Sequence, residues 1–270
     1  MKSILELIET AVSSGATGYT FSTHPLNMQI LNAMRDSVTI RGGLGLYPVL
    51  PYAQGYVRLA NEKGMRGLVE EIFSRVPLTV RARSIVEGGL SAIKSDFLGI
   101  FKTYLDIELA GYMNVKPANA ALHSVLLHEV ATDLCLGLRQ VHLLEAFMEH
   151  VRQEYHAKPG FVTYNLPRFI ELFRKNAIGL SDVVIMTPFN NIGYQMSPSR
   201  ASCEAVLSDL RGPEVIAMSV LAGGYLQMDD AIRYISNLPN LSGVAVGISS
   251  QEHARNTFRK LQALTQIRHM

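Results

Sequence analysis

The feature that most constrains this chain is the regular alternation of its second half. Gly160–Tyr164 (GFVTY) predicts a strand, Pro167–Ala177 a helix, and Asp182–Thr187 (DVVIMT) the next strand. The following helix is expected to carry Ser197 as N-cap, Pro198 at its first position and a stop at Gly212-Pro213. Strand Glu214–Ser219 (EVIAMS), helix Asp229–Ser236, strand Gly243–Ile248 (GVAVGI) and helix Gln251–Leu264 complete the series. Consecutive βα units with short links imply a parallel sheet with right-handed crossovers. The strands are continuously apolar, as strands buried on both faces are.

The first half is less regular. Thr17–Ser22, Gly45–Leu50 and Ala120–His128 predict strands; Pro25–Met34, Val57–Phe73 (broken by Gly64), Ser91–Leu109 and Leu134–Glu154 predict helices. A strand over Leu78–Arg83 brings the count to eight, each followed by a helical pattern. The reading is α/β: a single (β/α)8 TIM barrel over residues 1–270, with an open doubly wound sheet as the alternative. Ile4, Leu5, Ile8 and Val12 recur at helical spacing and add an extra N-terminal helix. Glu6 and Glu9 interrupt any signal-peptide core, and no run approaches the roughly 20 apolar residues of a membrane span. The expectation is a cytoplasmic protein with no membrane partner.

Charge excludes another class. With 25 Lys+Arg against 23 Asp+Glu, the net charge is +2, which leaves no basic footprint for nucleic acid. Phosphate recognition, if present, is local. Cys135 and Cys203 form no disulfide framework and have no zinc-site spacing.

A barrel places active residues at the C-terminal ends of its strands. That selects His24, Tyr52, Tyr56, Arg81, Arg83, His128, Glu129, Asp133, Tyr164, Asn165, Thr187, Asn190, Ser219, Ser249 and Ser250. No lysine ends an expected strand, which disfavours Schiff-base chemistry. His24, His128, Glu129 and Asp133 do not form a metal-ligand pattern, so no metal is expected. After the seventh and eighth strands come Gly223-Gly224 and Ser249-Ser250, with Arg255 one turn into the last helix. Glycines that admit close backbone approach and a helix N-terminus suit a phosphate. A plain turn and a plain N-cap account for the same residues.

The segments GFVTYN, DVVIMTPFN, VIAMSVLAGG and VAVGISSQEHARNTF resemble the C-terminal half of the aldo-keto reductase superfamily. The resemblance implies a (β/α)8 barrel that binds NADP(H) and reduces a small carbonyl compound. It assigns cofactor contacts to Asn165, Met186, Met218, Ser219, Leu221, Gly223, Gly224, Ser249, Ser250, Arg255 and Asn256. In this assignment Asn165 keeps the family's carboxamide-binding Asn and Asn256 its helix Asn near the adenine. Met186 and Met218 replace its nicotinamide-binding glutamine and stacking tyrosine. Tyr56, in PYAQGYV, falls at the proton-donating tyrosine, and His128, in SVLLHEV, at the catalytic histidine. Pro51 stands where the family has aspartate, and Arg81 or Arg83 where it has lysine. Tyr164 and Asn190 are read as pocket walls. The rival readings are a lyase or isomerase of a phosphorylated small molecule, and a non-catalytic barrel that keeps a ligand pocket. The Ser91–Leu109 helix is a candidate oligomer contact.

Overall fold

The computed structural model describes residues 2–51, 97–114 and 120–268. Its centre is a wholly parallel sheet. The strands are β1 (Gly18–Ser22), β2 (Gly45–Leu50), β3 (Ala121–Leu122), β4 (Ser124–Leu127), β5 (Lys158–Val162), β6 (Val184–Pro188), β7 (Glu214–Met218) and β8 (Gly243–Val244). Both β3 and β4 pair with β2; they are two parts of one strand interrupted at His123. The order is β1-β2-β4-β5-β6-β7-β8. Every new strand is added on the same side, and the order never reverses. A doubly wound sheet reverses at a switch point, so this one is wound singly and curls into a half-barrel of the (β/α)8 type.

Nine α-helices surround it among the described residues: α1 (Lys2–Ser13), α2 (Pro25–Met34), α3 (Phe97–Met113), α4 (Glu129–Gly137), α5 (Val141–Tyr155), α6 (Leu166–Lys175), α7 (Arg200–Asp209), α8 (Met228–Ser236) and α9 (Gln251–Arg268). The extra N-terminal helix is therefore present. It packs on α9 and contributes Ile8 to a core with Phe21, Leu31, Met34 and Leu46.

Strand periodicity separates two apolar layers. Leu50, Val125, Leu127, Phe161, Ile185, Val215 and Ala217 face the helices. There α5 buries Leu144, Phe147, Met148 and Val151, at i, i+3, i+4 and i+7, and α6 buries Phe169, Ile170, Leu172 and Phe173. The rings of Phe169 and Phe173 stack at 4.2 Å, and Phe161 packs tilted and edge-on against them at 5.1 and 5.7 Å. Burying each phenylalanine stabilises the fold by about 1.5–3 kcal/mol. The alternate residues Tyr47, Val49, Leu126, Val162, Val184, Met186, Ile216, Met218 and Ala245 fill the concave side. Gly160 is on that side too. A Cβ there would lie 2.3 Å from Leu126 Cδ2 and 2.5 Å from Ser124 Oγ, so the close approach of β4 and β5 requires glycine.

Several expected boundaries move. The helix over 134–154 is two helices, because Arg139 takes φ 56° between α4 and α5. The cap of α7 is Ser199 rather than Ser197: its backbone is extended and its Oγ accepts from Ser202 N–H at 3.2 Å. Ser197 N–H instead donates to Tyr164 O at 2.9 Å. Strand β5 runs 158–162, which puts Tyr164 in the loop beyond it. Only Gly243 and Val244 of the expected last strand are ladder residues, paired with Ile216 and Ala217 of β7. The expected strand over 78–83 lies outside the described residues. At the place assigned to it, β2 and β4 are direct partners through Val49–Leu126 and Leu50–Leu127.

Candidate functional site

Because all the strands are parallel, their C-terminal ends form one mouth. The sequence of β4 brings His128 there, and its backbone N–H donates to Leu50 O at 2.5 Å, tying it to the end of β2. His128 is also the N-cap of α4. Its backbone is extended and its Nδ1 accepts from Val130 N–H at 3.2 Å. Nδ1 is thus engaged at the helix N-terminus, and Nε2 is the ring nitrogen that remains.

Asn165, at the end of the adjacent β5, repeats this device. It caps α6, with its Oδ1 accepting from Arg168 N–H at 3.1 Å. The acceptor atom is used by the helix and the Nδ2 donors remain. His24, after β1, caps α2 through Nδ1 in the same manner, at 3.1 Å from Leu26 N.

Around His128 stands a cluster that the sequence reading kept apart. Glu129 Oε2 is 3.2 Å from His128 Nδ1. The Tyr164 hydroxyl donates to Glu129 Oε1 at 3.4 Å. Asp133, one helical turn beyond Glu129, accepts from Thr163 Oγ1 and from Tyr164 N–H, the latter at 3.1 Å. Burial, followed by the charge and hydrogen bond of Glu129, pushes the Tyr164 hydroxyl up. Burial also raises Asp133; its two hydrogen bonds oppose the shift and the Glu129 charge adds to it. Tyr164 is thus more than a wall, and Thr163 joins the site. The signal was a hydroxyl two residues before a helix cap, in T-Y-N.

The remaining candidates divide. Met186 and Met218 line the concave core beneath the mouth. Ser219, at φ 52°, donates its hydroxyl to Gln195 Oε1 at 3.1 Å. Leu221 begins the turn that holds Gly223 and Gly224, which have φ 69° and 94° and are exposed. The Tyr194 hydroxyl would be 3.8 Å from a Cβ at Gly223. Asn190 is a strut: its Nδ2 donates to Tyr194 O at 2.8 Å and Ser219 O at 3.3 Å, and its Oδ1 accepts from Tyr194 N–H at 2.7 Å. Ser250 caps α9, its Oγ accepting from His253 N–H at 3.1 Å, and Ser249 Oγ is 3.4 Å from His253 Nδ1. Asn256 and Arg255 are exposed on α9. Arg255 donates to Gln251 Oε1 at 3.0 Å and lines a groove of about 520 Å³ against Glu6, Glu9 and Thr10 of α1. Tyr56, Arg81 and Arg83 lie outside the described residues.

Tested against NADP(H), the donor set fits at two places. Asn165 Nδ2 suits a carboxamide oxygen, and the exposed Gly223-Gly224 turn with the first turn of α9 suits an anion. Among the described residues no group of three His, Cys, Asp or Glu is arranged to hold a metal. None of the helices described is long and apolar enough to cross a membrane.

The opposite end of the sheet holds a second polar cluster. Glu214 opens β7, Lys158 opens β5, and His123 precedes β4. Glu214 accepts from Lys158 Nζ and lies 3.0 Å from His123 Nε2. The Tyr47 ring packs 5.0 Å from His123. Burial would raise Glu214, but the hydrogen bonds from Lys158 and His123 outweigh it and hold the carboxyl below its usual range.

No family model matches the sequence, and no curated protein does. Solved structures do match. Two structures of a Pseudomonas aeruginosa protein, described as a "putative aldo-keto reductase", superpose with TM-score 0.58. They share 11% identity over 98% of this chain and 84% of theirs. The chain has the fold of an aldo-keto reductase. An aldo-keto reductase from a Medee basin deep-sea metagenome library aligns at 13% identity and TM-score 0.49, over 99% of this chain and 85% of its own.

Proposed function

We propose that this protein is an NADP(H)-dependent oxidoreductase that reduces a small carbonyl compound at the C-terminal mouth. The observation that carries the reading is the place of His128, directly after the central strand β4 and tied to the end of β2 through Leu50 O. A ring N–H donor at that place suits a carbonyl oxygen that gains negative charge. Bound NADP(H) supplies the hydride. The chain supplies the rest. His128 Nε2–H donates to the substrate oxygen and orients it. Asn165 Nδ2 holds the cofactor carboxamide, over a floor of Met186 and Met218. Ser219, Leu221, Gly223, Gly224, Ser249 and Ser250 form the wall on the phosphate side, with Arg255 and Asn256 further along α9. The proton for the alkoxide is assigned to Tyr56, with Arg81 or Arg83 as the cation that lowers its pKa from about 10.

Glu129 favours a second reading. A carboxylate beside His128 suits proton abstraction from a phosphorylated substrate in a lyase or isomerase.

Titration of the purified protein with NADPH, by calorimetry and fluorescence, separates the two. Micromolar binding that NADH competes for weakly, with turnover of small aldehydes lost in Tyr56→Phe, supports the reductase. Phosphate binding without NADPH binding overturns it in favour of the second reading. Silence toward both leaves a non-catalytic barrel.

A further inference from the structure

We propose that Asp133 is a positioning residue of the mouth, setting Tyr164 and Asn165 from the side of α4 (Glu129–Gly137). The inference rests on the reading above, in which Asn165 Nδ2 meets the ligand.

The segment Thr163–Asn165 needs such a support. Strand β5 ends at Val162, so the residues after it leave the ladder. Thr163 N–H still donates to Met186 O at 3.1 Å, but the amides of Tyr164 and Asn165 have no strand to meet. A backbone N–H without a partner is costly. One carboxylate supplies the first directly and the second through the Thr163 hydroxyl. Asp133 Oδ2 accepts from Tyr164 N–H at 3.1 Å. Its Oδ1 accepts the Thr163 hydroxyl, whose oxygen in turn accepts from Asn165 N–H at 3.0 Å. Thr163 is fully buried, so its hydroxyl has no water to replace Asp133. Three consecutive residues thus hang on one side chain, and two of them carry the polar atoms of the mouth.

Burial and the Glu129 charge push the Asp133 carboxyl up, while its hydrogen bonds from Thr163 and Tyr164 pull it down. The groups that face it are Glu129 on its own helix and Thr163 and Tyr164 from the segment after β5.

The test uses full-length Asp133→Ala, Thr163→Val and Thr163→Ser. Two readouts are taken: amide hydrogen exchange at Tyr164 and Asn165 without ligand, and NADPH affinity by calorimetry. Asp133→Ala and Thr163→Val should speed exchange at these two amides about tenfold or more, with β6 and β7 amides unchanged. Both should weaken NADPH about tenfold, as expected for one lost charge-assisted hydrogen bond. Thr163→Ser should restore both values. Unchanged exchange at Tyr164 and Asn165 overturns the proposal. So does faster exchange throughout the sheet, or local loosening with NADPH affinity intact. If Asp133→Ala does not fold, the Thr163→Val and Thr163→Ser pair decides. If the wild type binds no NADPH, the reductase reading fails, and the exchange result alone judges the clamp.

Discussion

The two ends of the barrel carry the same kinds of side chain in opposite electrostatic states. The N-terminal end joins Tyr47, His123, Lys158 and Glu214; the C-terminal end joins His128, Glu129, Asp133 and Tyr164. At the N-terminal end one carboxylate meets two basic groups and its pKa falls. At the C-terminal end two carboxylates lie near each other, and the one deeper in the helix is raised. Compensated charge belongs to a scaffold. Carboxylates without full compensation, around a histidine at a strand end, mark a candidate site. In this fold the N-terminal face is where stability resides and the C-terminal face is where chemistry resides.

The comparison breaks first at His128. His128→Ser keeps an N-cap hydroxyl but removes the ring donor. Turnover of a small aldehyde should fall about a hundredfold or more, while the melting temperature moves little, since serine caps well. A variant with full activity would remove His128 from the chemistry.

Packing between the ends comes next. Gly160→Ala drives a methyl group into Leu126 and Ser124, and denaturant titration should record a loss of roughly 1–3 kcal/mol. Ordinary stability would show that β4 and β5 can separate.

Glu214→Gln tests the scaffold end. Lys158 and His123 lose their shared carboxylate, yet all three are about a third exposed or more. The expected loss is about 1 kcal/mol or less, read as a few degrees in melting temperature, with NADPH affinity unchanged. A drop in affinity would mean that the two ends are coupled.

The smallest effect is a difference in sign with pH. Glu214 is lowered in the fold, so its contribution is present above its unfolded pKa and is lost as pH falls through the folded value. Asp182, held down by two hydrogen bonds from Arg152 at 2.6 and 2.7 Å, acts in the same direction. Asp133 is raised, so its ionisation costs stability and acid relieves that cost. Asp133→Asn should therefore remove a gain in stability that accrues as pH falls from the raised folded pKa of Asp133 to its unfolded value of about 3.9, and Glu214→Gln should flatten the loss below the unfolded glutamate value of about 4.3. Equal slopes in both variants would erase the contrast.

Much of this was legible in the residues. The apolar runs of β5, β6 and β7, and the phenylalanines of α6 at helical spacing, declare their elements because burial demands that pattern. Candidate site residues followed from strand ends. Less was legible in the first half, where β3 and β4 break at His123 and the 134–154 pattern splits at Arg139; both breaks are backbone events with no periodic signal. Ser197 and Ser199 are equally good caps by composition. Only the hydrogen bond from Ser197 N–H to Tyr164 O shows which one is engaged elsewhere.

The sequence by itself determined a parallel sheet and the hand of its crossovers, because short βα links leave one hand; the strand order in the structure decided single winding over the doubly wound alternative. The sequence also determined which residues reach the C-terminal ends. The tertiary structure alone decided what those residues do. The hydrogen-bond partners of Asp133, Thr163 and Tyr164, come from a different element, and no local pattern records a distance between a helix turn and the strand beside it. That distance makes Tyr164 part of the site and Asn190 a strut. It also turns Glu214, a charge at the start of a strand, into the anchor of the opposite end.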